Sequence, residues 1–112
     1  MDSTRQLKIS RLLLKELGYL FQINSRKYTN KGLITITKVN VTKDMGLARV
    51  NLSLFGVGDK QETLKTIKHH TSEIRRDLGL RIRNQVRIIP ELEFFEDDAL
   101  DYIENIENLL KK

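Results

Sequence analysis

The chain has no cysteine, which excludes both a disulfide framework and a thiolate-bound metal. It has no unbroken apolar run of the length a membrane span needs. The opening residues, Met1-Asp2-Ser3-Thr4-Arg5-Gln6, are polar and lead into no apolar core of signal-peptide type. A soluble cytoplasmic protein is the expectation. Catalytic signatures are missing as well: there is no nucleophile elbow, no P-loop and no zinc-ligand spacing. His69 and His70 are adjacent, so on a helix they point in different directions and make a poor metal pair. Asp97-Asp98 is explained by helix capping without chemistry. These absences argue against an enzyme, and no metal or cofactor is expected.

What is present is charge of one sign over most of the length. The 112 residues are 39% hydrophobic and 31% charged, a globular rather than a disordered balance, with room for one core. Residues 1–90 hold 18 Lys and Arg against 7 Asp and Glu, a local net of +11. Residues 91–112 hold 2 against 8, a local net of −6, and together they give the overall +5. Basic residues spread through a folded body are the electrostatic footprint of a nucleic-acid binder. Solubility alone would also account for a lysine-rich surface, so charge favours that reading only modestly.

Hydrophobic spacing gives the order of elements. Over residues 4–23, Leu7, Leu13, Leu14, Leu17, Leu20 and Phe21 recur at threes and fours, with Ser3 or Thr4 able to cap the start. This predicts an amphipathic helix whose polar face is mainly basic. A polar joint follows, from Asn24 to Gly32. Residues 33–42 then alternate as a strand, but Ile34 and Ile36 lie one residue out of phase with Val39 and Val41. Such a slip is what a β-bulge produces. Lys43-Asp44-Met45-Gly46 predicts a hairpin turn, with Gly46 free to take positive φ. Ala48, Val50, Leu52 and Leu54 form the inward face of the second strand.

From Lys60, with Asp59 as cap, the stripe Leu64, Ile67, Thr71, Ile74 and Leu78 predicts one long or kinked helix. Residues 87–96 read as a third strand, and Pro90 within it suggests an edge or a bulge. Phe94 and Phe95 read as core and flank rather than as a base-stacking pair. Leu100, Ile103, Ile106 and Leu109 predict a final acidic helix over 97–112.

The stretch 64–94 is where the chemistry concentrates. It carries Arg75, Arg76, Arg81, Arg83 and Arg87, and only Asp77 interrupts them with an acidic side chain. Arginine rather than lysine offers planar, multi-donor contacts that phosphate rewards. On helical geometry Arg76 and Arg83 lie within about 20° of each other, opposite the apolar stripe, and should be exposed. Lys8, Arg11 and Lys15 on the first helix, with Arg26, Lys27 and Lys31 at its exit, could extend the patch. The competing reading is that some of these cations only pair with the acidic C-terminal stretch or line a solvated face.

Three ordered stretches then carry a resemblance. They are Ile34–Asp44 with Ala48-Arg49-Val50, then Ile74-Arg75-Arg76-Asp77-Leu78-Gly79, then Arg87–Phe94 running into Asp97-Asp98-Ala99-Leu100. Together with the helix that precedes them they resemble the ribosome-binding factor A family of bacterial assembly factors. The resemblance implies an α+β fold: a type II KH-like domain, α-β-β-α(α)-β plus a C-terminal helix, with a three-stranded sheet packed on helices. It implies binding to the 30S subunit or its precursor, help in late maturation of 16S rRNA, and importance at low temperature. It also implies a monomer without cofactor or membrane, and leaves open an assembly GTPase as a further partner.

Two departures stand out. The family usually interrupts the helical crossover with Ala-x-Gly, where this chain has His70-Thr71-Ser72, so a softer kink is expected. Residues 79–90 are also about two residues longer than the common form, which loops tolerate readily. The Gly-x-x-Gly clamp of typical KH domains is missing, because the six glycines never fall at that spacing. The expectation is therefore recognition of structured RNA by shape and charge. A protein–protein module working through the acidic C-terminal helix is the alternative.

Overall fold

A computed structural model describes residues 3–97. Helix α1 runs over Thr4–Asn24 and is followed by a single 3-10 turn at Ser25–Lys27. The hairpin strands are β1, Leu33–Val41, and β2, Leu47–Phe55. The crossover is two helices, α2 over Lys60–His69 and α3 over Thr71–Ile82, and it leads to β3, Glu91–Glu96. The sheet order is β1-β2-β3, with β1 antiparallel and β3 parallel to the central β2. A parallel return needs a long connection, and α2–α3 is that connection. This is the expected α+β, KH-like arrangement. The acidic helix expected after Asp97 lies outside the described residues.

Helix α1 starts where the sequence predicts, with Ser3 and Gln6 closing a reciprocal capping box. Its buried face includes Leu13, Leu17, Leu20 and Phe21. Leu7, expected in the stripe, is 44% exposed, and Gln6 and Ser10 go inward instead. The reason is the edge of the sheet. Gln6 Nε2 donates to the Val41 carbonyl at 3.0 Å and Ser10 Oγ accepts from the Val41 N–H at 3.3 Å. Backbone groups of an edge strand need partners when buried, and α1 supplies them.

The phase slip in β1 is a bulge between Ile36 and Lys38. Thr37 is the extra residue, and its hydroxyl donates to Asp97 Oδ2 at 2.7 Å. The hairpin turn differs from expectation in one respect: Met45 takes positive φ, 63°, and Gly46 does not. Asp44 Oδ1 accepts from the Gly46 N–H at 2.9 Å and from the Thr42 hydroxyl at 2.8 Å, so the Asx geometry fixes the turn and Met45 is buried. A glycine is needed at Gly32, where φ is 88° and an added Cβ would lie 2.5 Å from the Phe55 carbonyl oxygen.

In the crossover Asp59 caps α2 by accepting from the Glu62 N–H. The helix breaks at His70, and α3 then runs through Gly79 without interruption. Ile67, Ile74, Leu78 and Ile82 are buried against the sheet's inner row, which includes Ala48, Val50 and Leu52. Phe94 is buried edge-on to Phe21 at 5.9 Å, while Phe95 is partly exposed, as core and flank.

The third strand is shorter than the sequence suggests. Pairing begins at Glu91, opposite Leu47, and residues 87–90 are not paired. The hairpin turn lies beyond Leu47, so β2 offers those residues nothing to pair with, and Pro90 has no N–H to give. Arg87 therefore sits in an irregular lead-in rather than inside a strand.

Candidate nucleic-acid interface

The apolar face of α3 fixes where its arginines go. With Ile74, Leu78 and Ile82 buried, Arg76 projects outward with 71% of its side chain exposed. Its nearest acid is the neighbouring Asp77 at 3.8 Å, too far for a hydrogen bond. Arg83, in the turn after α3, is exposed and has no partner among the described residues. Both exposures follow the helical spacing.

Two other arginines are engaged inside the molecule. Arg75 Nε donates to the Pro90 carbonyl at 3.0 Å and its Nη2 to the Ile89 carbonyl at 2.6 Å. It therefore pins the lead-in of β3 against α3. Arg81 Nε donates to Glu16 Oε2 at 2.6 Å, and its guanidinium lies 4.3 Å from the centre of the Tyr19 ring. The Glu16 side chain is 12% exposed. Here an arginine does pair with a carboxylate, but the carboxylate is on α1.

Between α3 and the lead-in is a cleft of about 680 Å³. Arg75, Arg76 and Arg87 line it, with Ile88 and Ile89 along the far wall and Glu91 as its acid. Arg87 is exposed and unpaired among the described residues. Multi-donor side chains on a concave rim suit phosphate oxygens, and they carry no base readout by themselves.

On α1, Lys8, Arg11 and Lys15 are exposed on one side of the helix. At its exit, Arg26 donates to the Asn30 carbonyl and Lys27 Nζ donates to Glu73 Oε1 at 2.8 Å. That hydrogen bond and the lysine's charge hold the Glu73 carboxyl below the usual carboxylate range. The structure joins Lys8 to Arg87 across a second cleft, together with Arg5 and Lys43, which the sequence did not single out. Arg5 reads as part of a polar start and Lys43 as a turn residue. Nothing local signals that the fold brings the two together. Among the described residues no cluster of three or more metal-ligating side chains occurs, and no helix is long and apolar enough to cross a membrane.

The family model for ribosome-binding factor A matches residues 5–110. The chain belongs to this family. A ribosome-binding factor A from Cytophaga hutchinsonii is 45% identical over 112 residues, covering 100% of this chain and 84% of that protein. Among solved structures, the crystal structure of ribosome-binding factor A from Thermus thermophilus superimposes with a TM-score of 0.69 at 20% identity, over 81% of this chain and 94% of that one. A homology model of the Thermus thermophilus protein, fitted into a cryo-EM map of a 30S–factor complex, matches with a TM-score of 0.63 at 22% identity. It covers 78% of this chain and 89% of that one. The family therefore shares this fold across wide sequence divergence.

Proposed function

We propose that this protein binds the small ribosomal subunit or its precursor through the 16S rRNA backbone and assists late maturation there. Arg76, Arg83 and Arg87 are the principal contacts, and Lys8, Arg11, Lys15, Arg26 and Lys27 extend the basic surface. Arg75 and Arg81 serve by positioning, one holding the cleft wall and the other holding α3 on α1. The observation that carries this reading is the division among the arginines: Arg76, Arg83 and Arg87 remain exposed, two of them lining a cleft, while Arg75 and Arg81 have partners inside the fold. The fitted 30S complex of a relative with this fold supports the same partner.

The mechanism is selection among rRNA arrangements. A factor that binds one arrangement better than its competitors shifts the population toward it. Misfolded helices are harder to escape when cold, so the contribution is largest at low temperature. Processing of the 16S 5′ end falls to separate nucleases. The factor acts in the cytoplasm as a monomer without cofactor, and this leaves room for an assembly GTPase on the same particle.

Co-sedimentation with 30S subunits across a salt series tests the reading. The three principal arginine–phosphate contacts alone give a slope of log K against log[salt] of roughly −2 to −3, and the flanking cations steepen it. Arg76→Glu with Arg83→Glu should abolish recovery at moderate salt. Salt-insensitive binding, or undiminished recovery of the double variant, would overturn it.

A further inference from the structure

We propose that the second cleft, between the first turns of α1, the β1–β2 turn and residues 85–88, is a separate RNA-backbone site. The protein then holds two rRNA segments at once, one on either side of a wall formed by Arg87 and Ile88. This rests on the rRNA-binding reading above and adds a second point of contact to it.

The cleft encloses about 950 Å³. Arg5, Lys8, Lys43 and Arg87 line it against one acid, Asp44, a net of +3. None of the four cations has a hydrogen-bond or ion-pair partner among the described residues. The one carboxylate is already turned to its own hairpin, accepting from Gly46 and Thr42. Those two hydrogen bonds hold it below the usual carboxylate range, so it stays a turn acceptor at neutral pH. Four cations lining one concavity, with no partner among the described residues, fit a polyanion.

The elements that carry these cations are tied together. Gln6 fastens α1 to β1 at Val41, and the Glu91 N–H donates to the Gly46 carbonyl at 2.9 Å, fastening the lead-in of β3 to the hairpin turn. The rim is thus preset before any ligand arrives, which lowers the ordering cost of binding. The interior wall is aliphatic, from Ile9, Met45, Val86 and Ile88, and offers no aromatic ring for stacking. Sequence-independent backbone contact is what such a lining supports.

The wall between the clefts makes the two sites distinct. Arg87 and Ile88 line both, and Ile88 is 59% exposed on the crest. Apart from these two, the linings share no residue.

Hydroxyl-radical footprinting of 16S rRNA in 30S subunits, with the full-length protein, tests the proposal. Arg5→Gln with Lys43→Gln is compared with Arg76→Gln with Arg83→Gln. The first pair should remove one set of protected nucleotides and the second pair a different set. The first pair should also lower the salt slope by roughly 1.4–1.8, two phosphate contacts at 0.7–0.9 each. Arg5 and Lys43 have no partner among the described residues, so an unchanged thermal midpoint confirms an intact fold. If the first pair changes neither footprint nor slope while the second weakens binding, the second site is refuted and the rRNA reading stands. Loss of the same nucleotides by both pairs also refutes it, because that is one site. A first-pair loss on whole subunits but not on protein-free 16S rRNA would assign the cleft to an acidic protein partner instead. If neither pair alters binding, the rRNA reading falls as well.

Discussion

Replacing Arg81 with Met should cost stability and leave ribosome binding intact. The Arg81–Glu16 pair is 2.6 Å long, with the carboxylate side chain 12% exposed and the arginine 40% exposed. Removing one partner of a fully buried pair costs about 3–5 kcal/mol, and of an exposed pair about 0.2–1. This pair lies between those limits, because solvent screens the arginine end while Glu16 would be left without a partner. Losing the stacking on Tyr19 adds about half a kcal/mol more, the low end for such contacts. A total of about 2 kcal/mol corresponds to a fall in melting temperature of roughly 8–12 °C for a domain of this size. Thermal unfolding followed by far-UV circular dichroism measures it. Glu16→Gln in the Arg81→Met background should recover a good part of the loss, since no charge is then stranded. Binding to 30S subunits, measured well below the melting temperature, should stay within about twofold of the parent, a difference of roughly 0.4 kcal/mol. The reasoning is refuted if Arg81→Met melts within about 2 °C of the parent, well under the cost of a lost pair, and sediments as poorly as the Arg76/Arg83 reversal. Arg81 would then be a phosphate ligand whose contact to Glu16 contributes nothing.

Glycine substitutions should have opposite signs at two positions. Gly32→Ala places a methyl group 2.5 Å from backbone atoms at positive φ and should destabilise by roughly 2–4 kcal/mol in denaturant unfolding. Gly18→Ala, inside α1 with no atom within 4 Å of the new Cβ, should stabilise by roughly 0.5–1 kcal/mol. The Tyr28 hydroxyl, pushed up to about 12 by burial and then by Glu73 and Asp77, should ionise late in an ultraviolet absorbance titration. Its folded value lies above the unfolded value of 10.0, so the unfolded chain loses the proton first. The stabilisation is complete below pH 10 and falls away between about 10 and 12, and Tyr28→Phe should abolish both the late phase and that part of the pH dependence.

Local patterns were legible where one element decides its own shape. The phase slip of Ile34 and Ile36 against Val39 and Val41 marked the bulge at Thr37, and Asp59 marked the start of α2. The spacing of seven between Arg76 and Arg83 placed both outside, because two turns of helix return a side chain to the same face. Features that depend on distant partners were not legible. Nothing in the sequence around Glu16 signals its partner, and only the packing of α3 on α1 brings Arg81 to it across 65 residues. Residues 87–89 have strand composition, yet β2 begins at Leu47 and has no residue to offer them. No sequence pattern marked Arg75 and Arg81 as engaged inside the molecule, by the carbonyls of Ile89 and Pro90 and by the carboxylate of Glu16.

Under the proposed function, the break at His70 leaves charge to carry the binding. No glycine stands at the joint between α2 and α3, and none is needed: His70 has φ −97° and ψ 13°, open to any residue. The carbonyls that end α2 accept from the His70 backbone N–H and also from side chains. His70 Nδ1 lies 2.8 Å from the Thr66 carbonyl, and the Thr71 hydroxyl donates to the Lys68 carbonyl at 2.7 Å. A joint closed in this way is stable, but it presents no glycine backbone that phosphates could approach closely, as a Gly-x-x-Gly loop does. Under the proposed function, side-chain cations on either side of the joint make the phosphate contacts instead. Such contacts exchange counterions with the solvent, and their affinity falls with salt in proportion to the number of phosphates held. On the proposed reading, a factor built this way would bind through many weak, sequence-independent contacts whose geometry is set by the fold. It distinguishes RNA arrangements only when those contacts are made together, and that is the property a selector among rRNA conformations requires.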